Sequence, residues 1–397
     1  METVDTPLTY FSQMIDHCYD FAEKAKARGQ AIVGILCEYT PREILFAAGA
    51  LPVCLCGGSL ETIPAAEQHL PVNLCPLIKS IYGYHLHGTN PFLEWADLIV
   101  AETTCDGKKK MYELMSAGRE MYILELPQKA DQADAFAHWL KEVGKFKAYL
   151  EKEFHTQITD DKLREAIRLM NRERGLRRQL AGLMAKDRPP LTGRQILDFK
   201  SIISGIDADL EQYEKAIREF ERAAALPGSP LDLNKIPPPV RVLLTGVPTV
   251  HGAERVVELI ESSGAVVVVQ ENCTGIKPIL EDIDADAPDP LQAIAEKYYH
   301  LPCSVMTVNE RRLASLRELA TRFRPQCVIE LVWQACLTYD VESSRVRRFV
   351  ESELQIPYLK IVTDYSPSDS GRLMVRIEAL METVRSKATR PDGKAST

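Results

Sequence analysis

Residues 31–58 read AIVGILCEYTPREILFAAGALPVCLCGG, and this stretch decides the fold. AIVGILC is a short apolar run between Gly29 and Pro41, the pattern of a buried strand. TPREILFAAGA follows. Thr40 stands where an N-cap would, with Pro41 at the first helical position and Glu43 three residues past the cap, so a capping box is expected. Gly49 ends that helix. LPVCLC is the next buried strand, stopped by Gly57 and Gly58.

The rhythm continues outward. Residues 8–28 read as an amphipathic helix. ADLIVAETTC and EMYILELP are further strands, with the helix KKKMYELMSAG between them. Residues 131–225 change character: heptad-like apolar spacing and i,i+4 charge pairs mark a helical segment, one of whose helices opens at Thr159. LPGSPLDLNKIPPPV, residues 226–240, holds five prolines and reads as a stiff linker. VRVLLTG, AVVVVQENC, VIELVWQAC and IPYLKIVTD then resume the strands, and SGRLMVRIEALMETV closes as a helix. Strands alternating with helices mean parallel sheets. The expected architecture is α/β: two similar parallel-sheet, Rossmann-like domains, 1–130 and 241–385, joined by the helical segment 131–225 and the linker 226–240, with a disordered tail at 386–397.

The 397 residues, 45% hydrophobic and 26% charged, have an ordinary globular balance. No apolar run is long enough to span a bilayer, and the N-terminus lacks the basic start and apolar core of a signal peptide. A cytoplasmic protein without a membrane partner is expected. The net charge of −8 and the lack of a basic stripe argue against nucleic acid. Lys108 to Lys110 form the one basic run, expected to be a solvated face, with contact to an anion or a partner as the lesser alternative.

Ten cysteines are present, none of them between residues 106 and 272. A disulfide framework is not expected in such a compartment. Cys37, Cys105, Cys273 and Cys336 end strands; Cys75 ends an apolar run before a helix, and Cys303 follows a helix in HLPC. Ligands of open parallel sheets bind beyond the carboxyl ends of the strands, so these six would converge on one interdomain cleft. A helix start behind a thiol favours the thiolate, which suits Cys75 and Cys105. Thiolates without histidine partners suit iron–sulfur clusters or zinc, and their wide separation favours a cluster. Cys18 and Cys327 are assigned to structure. Cys54 and Cys56 face one side of a strand, and Cys56 is the reserve ligand.

Other signals are weaker. His85 and His87 in YHLHG are expected in a surface loop. Gly246 follows a strand without the GxGxxG spacing, and no Walker A motif exists. Glu102, Asp106 and Glu271 flank the cysteines as possible proton carriers. Asp364, Tyr365 and Arg376 lie where they could face the cleft.

GILCEYTPREILFAAGALPVCLCG, NLCPLIKSIYG, ETTCDGKKKMYE, ENCTGIK, WQACLTYDVES and TDYSPSDSGRLMVRIEAL occur in this order over nearly the whole chain. Together they resemble the 2-hydroxyacyl-CoA dehydratase and benzoyl-CoA reductase superfamily, and within it the double-cubane cluster proteins. The resemblance implies that Cys75, Cys105 and Cys336 hold one [4Fe–4S] cubane. Cys273 and Cys303, which the dehydratase subunits generally lack, imply with Cys37 a second, the two joined by sulfide as an [8Fe–9S] double-cubane cluster. It implies a homodimer that takes low-potential electrons from a separate ATP-hydrolysing [4Fe–4S] activator and reduces small molecules. Two alternatives stay open: a 2-hydroxyacyl-CoA dehydratase subunit with a single [4Fe–4S] cluster, and a non-catalytic electron-storage or metal-binding protein.

Overall fold

The computed structural model describes residues 6–225 and 239–389. It contains two four-stranded, wholly parallel sheets of the same strand order. The first is built from β1 (Ile32–Ile35), β2 (Leu51–Cys54), β3 (Leu98–Glu102) and β4 (Met121–Leu124), in the order β2-β1-β3-β4. The second uses β5 (Val240–Gly246), β6 (Ala265–Glu271), β7 (Cys327–Trp333) and β8 (Tyr358–Thr363), in the order β6-β5-β7-β8. Fold class is therefore as the sequence suggests. In both sheets the chain winds outward to one neighbour and then crosses back, which opens a crevice above the central strands. β1 and β3 flank that crevice in the first sheet, and β5 and β7 in the second.

Burial follows strand position. The inner strands β1, β3 and β7 are buried along their whole length and the edge strands β4 and β8 are half-exposed; β6, also at an edge, is buried where the helical segment covers it, Gln270 donating to the Gly193 carbonyl. That is why the inner strands read as unbroken apolar runs rather than as alternating ones. Each fully buried side chain such as Val242, Leu244, Ile329 or Leu331 stabilises the sheet by about 1.5–3 kcal/mol. Gly246 ends β5 at φ +113°, and a Cβ there would lie 2.0 Å from the Leu331 carbonyl oxygen. Only glycine allows this close approach of neighbouring backbones.

The segment between the sheets is helical: Ala135–Glu153, Asp160–Gly182, Gly193–Asp198 and Asp207–Ala225. Thr159 caps the second of these by accepting from the Lys162 amide. The segment ties the two sheets together. The Trp139 indole donates to the Ala295 carbonyl, Gln270 donates to the Gly193 carbonyl, and Ile203 forms a short antiparallel bridge with Val53 at the edge of β2.

Several local expectations change. The first helix is two, Pro7–Ser12 and Met14–Ala27, broken at Gln13. The expected capping box at Thr40 does not form: the helix Arg42–Ala47 starts without a side-chain cap. Both halves of the box have stronger buried partners, for Thr40 donates to the Glu102 carboxylate and Glu43 binds Arg174 and Tyr298. His85 and His87 lie in the last turn of the helix Pro76–His87 rather than in a loop. The closing helix runs from Ser370 to Thr389. Residues 226–238 of the expected linker and the tail beyond 389 lie outside the described residues. Among the described residues no helix is long and apolar enough to cross a membrane.

Candidate functional site

Cys75, Cys105 and Cys336 occupy equivalent places: each is the residue that precedes a helix, Pro76–His87, Asp106–Met115 and Leu337–Phe349. Cys105 and Cys336 reach this place from the carboxyl ends of β3 and β7, beside the two crevices. Cys37 lies just past β1, Cys273 just past β6, and Cys303 between the helices Pro290–Tyr299 and Glu310–Phe323.

The electrostatic environment of these thiols divides them into two groups. Cys75, Cys105 and Cys336 act on one another. So do Cys37, Cys273 and Cys303. Cys105 and Cys303 connect the two groups. Each group draws two thiols from one sheet's half of the chain and one from the other. The six sequence candidates are thus brought together across the cleft. Among the described residues no three His, Cys, Asp or Glu side chains close on a point as they would around a single metal ion.

The groups differ in what surrounds their thiols. In the first, Cys336 hydrogen-bonds to Cys75, and that bond is the main reason the Cys75 thiol is lowered; burial opposes it, and the amides of Leu77 and Ile78 help. Cys336 is correspondingly pushed up, first by Cys75 and then by burial. These amides are the unsatisfied donors of a helix start, which point at whatever stands before it. Burial raises Cys105, and the amide and charge of Lys108 offset part of that rise. In the second group burial dominates. Cys273 is pushed up to about 12 by burial, against the opposing charge of Lys277. Cys37 is held well above its ordinary range by burial, again against a lysine, Lys108.

Lys108 corrects the reading of the basic run. Lys109 and Lys110 pair with Asp106 and Glu113 at the surface, as a solvated face would. Lys108 is buried, with only 9% of its surface exposed, and its ammonium donates to the Leu36 carbonyl at 2.7 Å. Among the described residues it forms no ion pair with a carboxylate. Burial works against its charge, yet Tyr112, Cys37, Cys56 and Cys105 hold it firmly protonated. A buried ammonium without a counter-ion costs several kcal/mol. Glu102, which feels the charge of Lys108, is fully buried and pushed up to about 8 by burial, partly offset by Thr40, so it is largely neutral. The negative charge that Lys108 lacks is what thiolates ligating an anionic iron–sulfur group would supply. Soft sulfur donors, a cleft and a buried spare cation all fit such a group.

The remaining cysteines sort cleanly. Cys54 and Cys56 hydrogen-bond to each other, which lowers the Cys54 thiol to about 6 and raises Cys56. Cys56 also donates to the Leu36 carbonyl at 3.5 Å. Cys37 interacts with Cys273 and Cys303, and the reserve Cys56 interacts with Cys54 and with Cys37. Cys18 and Cys327 are core residues, each pushed up to about 12 chiefly by burial. A cavity of about 50 Å³, lined by residues including Cys54, Cys56, Lys200, Thr249 and His251, has room for a few water-sized molecules.

Sequence reading missed most of the charged shell. Lys277 is 2% exposed, pairs with Glu271 at 2.9 Å and donates to the Tyr339 hydroxyl at 3.1 Å. Arg312 is fully buried and binds Glu330, Glu342 and Glu271. Lys200 donates to Glu38 at 3.0 Å and to the Cys273 carbonyl at 2.7 Å. One signal was available: Lys277 stands alone in the apolar GIKPIL. Of the flanking residues proposed for the cleft, Glu102 and Glu271 are buried there and Asp106 is exposed. Tyr365 is buried against Trp333 and influenced by Cys75 and Cys56, whereas Asp364 binds the Ser366 amide and Arg376 the Lys360 carbonyl.

Residues 37–384 match the family described as 2-hydroxyglutaryl-CoA dehydratase, D-component. The chain is 38% identical over 367 residues to a protein of Escherichia coli (strain K12) named "Putative dehydratase subunit YjiM", covering 90% of this chain and 92% of that one. It is 21% identical over 373 residues to the (R)-2-hydroxyglutaryl-CoA dehydratase subunit beta of Acidaminococcus fermentans, covering 91% and 94%. It is 22% identical over 274 residues to one of the subunits of benzoyl-CoA reductase from Thauera aromatica, covering 68% of each.

Proposed function

Because the chain belongs to the 2-hydroxyglutaryl-CoA dehydratase D-component family, a family of dehydratase and reductase components, we propose that it is a reductase component built around a double-cubane cluster. Cys75, Cys105 and Cys336 hold one cubane, and Cys37, Cys273 and Cys303 hold the other. Electrons come from a separate ATP-hydrolysing activator that carries its own [4Fe–4S] cluster, the chain works as a homodimer, and the substrate is a small molecule. The observation that carries this reading is the division of six thiols into two mutually interacting groups of three, joined through Cys105 and Cys303.

The bound group would supply electron storage at very low potential, which thiolate ligation and burial favour. The chain's own residues do the rest. The helix starts behind Cys75, Cys105 and Cys336 direct amide donors toward the sulfurs. Lys108 balances negative charge between the two groups. Trp333, Tyr365, Tyr39 and Tyr339 are buried around the cleft and keep bulk water from it. Glu102, largely neutral and hydrogen-bonded to Thr40, can carry a proton beside Cys37.

A second reading is favoured by the names of the relatives: a dehydratase subunit with one [4Fe–4S] cluster on Cys75, Cys105 and Cys336. Anaerobic counting of iron and acid-labile sulfide separates the two. About eight irons per chain support the double-cubane reading, and about four support the dehydratase. A full complement with no turnover of any small substrate, in the presence of the activator and ATP, points instead to electron storage.

A further inference from the structure

Cys303 sits in a stretch that no sheet holds. Residues 301–309 lie between the helices Pro290–Tyr299 and Glu310–Phe323 and contain neither helix nor strand. Hydrogen bonds tie this loop outward in three directions, and each direction leads to a segment that carries another candidate thiol. The Tyr39 hydroxyl, two residues past Cys37, donates to the Leu301 carbonyl at 3.1 Å. The Thr307 amide donates to the Gln128 carbonyl at 2.7 Å. The Gln128 side-chain amide in turn donates to the carbonyls of Thr103 and Thr104, the two residues before Cys105, at 2.7 and 2.6 Å. The Asn309 side-chain amide donates to the Cys303 carbonyl at 2.9 Å and to Glu342 at 2.8 Å, on the helix that starts behind Cys336. The Ser304 and Thr338 hydroxyls meet at 3.0 Å beside it.

Asn309 is the more telling of the two amides. It stands at the N-cap of Glu310–Phe323, where asparagine ordinarily caps its own helix, yet its side chain makes no cap bond. It is 5% exposed, and both of its N–H donors go to the Cys303 loop and the Cys336 helix instead. Gln128 likewise uses its side-chain amide on two consecutive carbonyls. A loop without a ladder keeps a side chain in one place only if its neighbours hold it there. We propose that Gln128 and Asn309 are positioning residues: they fasten the Cys303 loop between the Cys105 loop and the Cys336 helix, and so set Cys303 where the two groups of thiols meet. What Cys303 is placed for rests on the double-cubane reading above; how it is placed rests on these bonds.

Gln128→Glu and Asn309→Asp test this, because each keeps the side chain's shape and replaces its donors by acceptors that face other oxygens. Aspartate is also a good N-cap, so loss of the helix behind Asn309 would not explain an effect. In the metal-free full chain at pH 8, hydrogen exchange read by mass spectrometry should speed up at least about tenfold in residues 301–309 of either variant, with β5 and β7 unchanged. In the wild type a short bifunctional thiol reagent should join Cys303 to Cys105; in Gln128→Glu that product should fall at least about tenfold while the Cys75–Cys336 product does not. Lowering the pH to 5 protonates the introduced carboxyl, which faces two carbonyl oxygens, and returns one donor. Exchange in Gln128→Glu, corrected for its intrinsic pH dependence, should then move back toward the wild type; a merely steric role has no such pH profile. Unchanged exchange at 301–309 in both variants overturns the proposal, as does acceleration spread equally through β5 and β7. Should Gln128→Glu fail to fold, Asn309→Asp decides alone, and unchanged exchange there is fatal. The anaerobic iron count judges the double-cubane reading and the exchange judges the ties, so either can fail without the other.

Discussion

The first group of thiols has helix-start amides around it, and the second has buried lysines. Cys75, Cys105 and Cys336 stand at helix starts, where amide donors come with the fold. Cys37, Cys273 and Cys303 stand in loops, and buried lysines had to be added around them. The difference teaches why the surrounding shell is so uneven. A helix start needs no counter-ion, whereas a buried lysine needs a carboxylate or an anionic ligand to hold it. Lys277 has Glu271, and Glu271 in turn is held by Arg312, which draws in Glu330 and Glu342. Among the described residues Lys108 has the Leu36 carbonyl, Tyr112 and the thiols, with no paired carboxylate.

The strongest way to break this contrast is through Arg312. Removing it leaves Glu271 and Glu330 buried with less compensation, so Arg312→Met should cost about 3–5 kcal/mol in denaturant unfolding. A cost below about 1 kcal/mol would mean that the shell of the second group is not a coupled charge network. No such penalty is expected from Arg347→Met, whose partner Glu351 is exposed.

The next test uses pH. Glu102 titrates near 8 in the folded protein because it is buried, against about 4.3 when unfolded. Between those values the native state binds the extra proton, so this group's contribution to stability is greatest in acid and falls as pH rises toward 8. Glu102→Gln should remove that fall. Unfolding free energies of the metal-free protein at pH 5 and pH 8 should converge by about 2 kcal/mol or more relative to the wild type. Equal pH dependence in both proteins would show that Glu102 is solvated.

Thiol chemistry then sharpens the comparison directly. In the metal-free protein at pH 8, Cys75 should be alkylated at least about tenfold faster than Cys273, as read by mass spectrometry of quenched samples. Reversed rates would contradict the lowering of Cys75 by its bond to Cys336 and the raising of Cys273 by burial. The smallest effect is a local one, away from both groups: Thr159→Ala should cost about 1 kcal/mol by loss of its helix cap.

Much of this was legible in the sequence. Apolar runs alternating with helical patterns gave both sheets, and cysteines at strand ends and helix starts gave the convergence, because strand ends in parallel sheets share one edge. What was hidden depends on which way a side chain turns after packing. Lys108, Lys109 and Lys110 are identical in sequence, and only the turn of their helix buries the first, whose ammonium reaches the Leu36 carbonyl. Thr40 and Glu43 spell a capping box, but Glu102 and Arg174, far away in the chain, bind them more strongly. Arg312 sits in an amphipathic helix rich in charge, where nothing local marks the one arginine that turns inward.

The central claim is that two groups of three thiols each hold a cubane. Iron analysis of anaerobically prepared wild-type and Cys303→Ser proteins tests it most directly. The account predicts about eight irons per wild-type chain and about four in Cys303→Ser, retained on Cys75, Cys105 and Cys336. Equal iron in the two proteins, at either number, would contradict it.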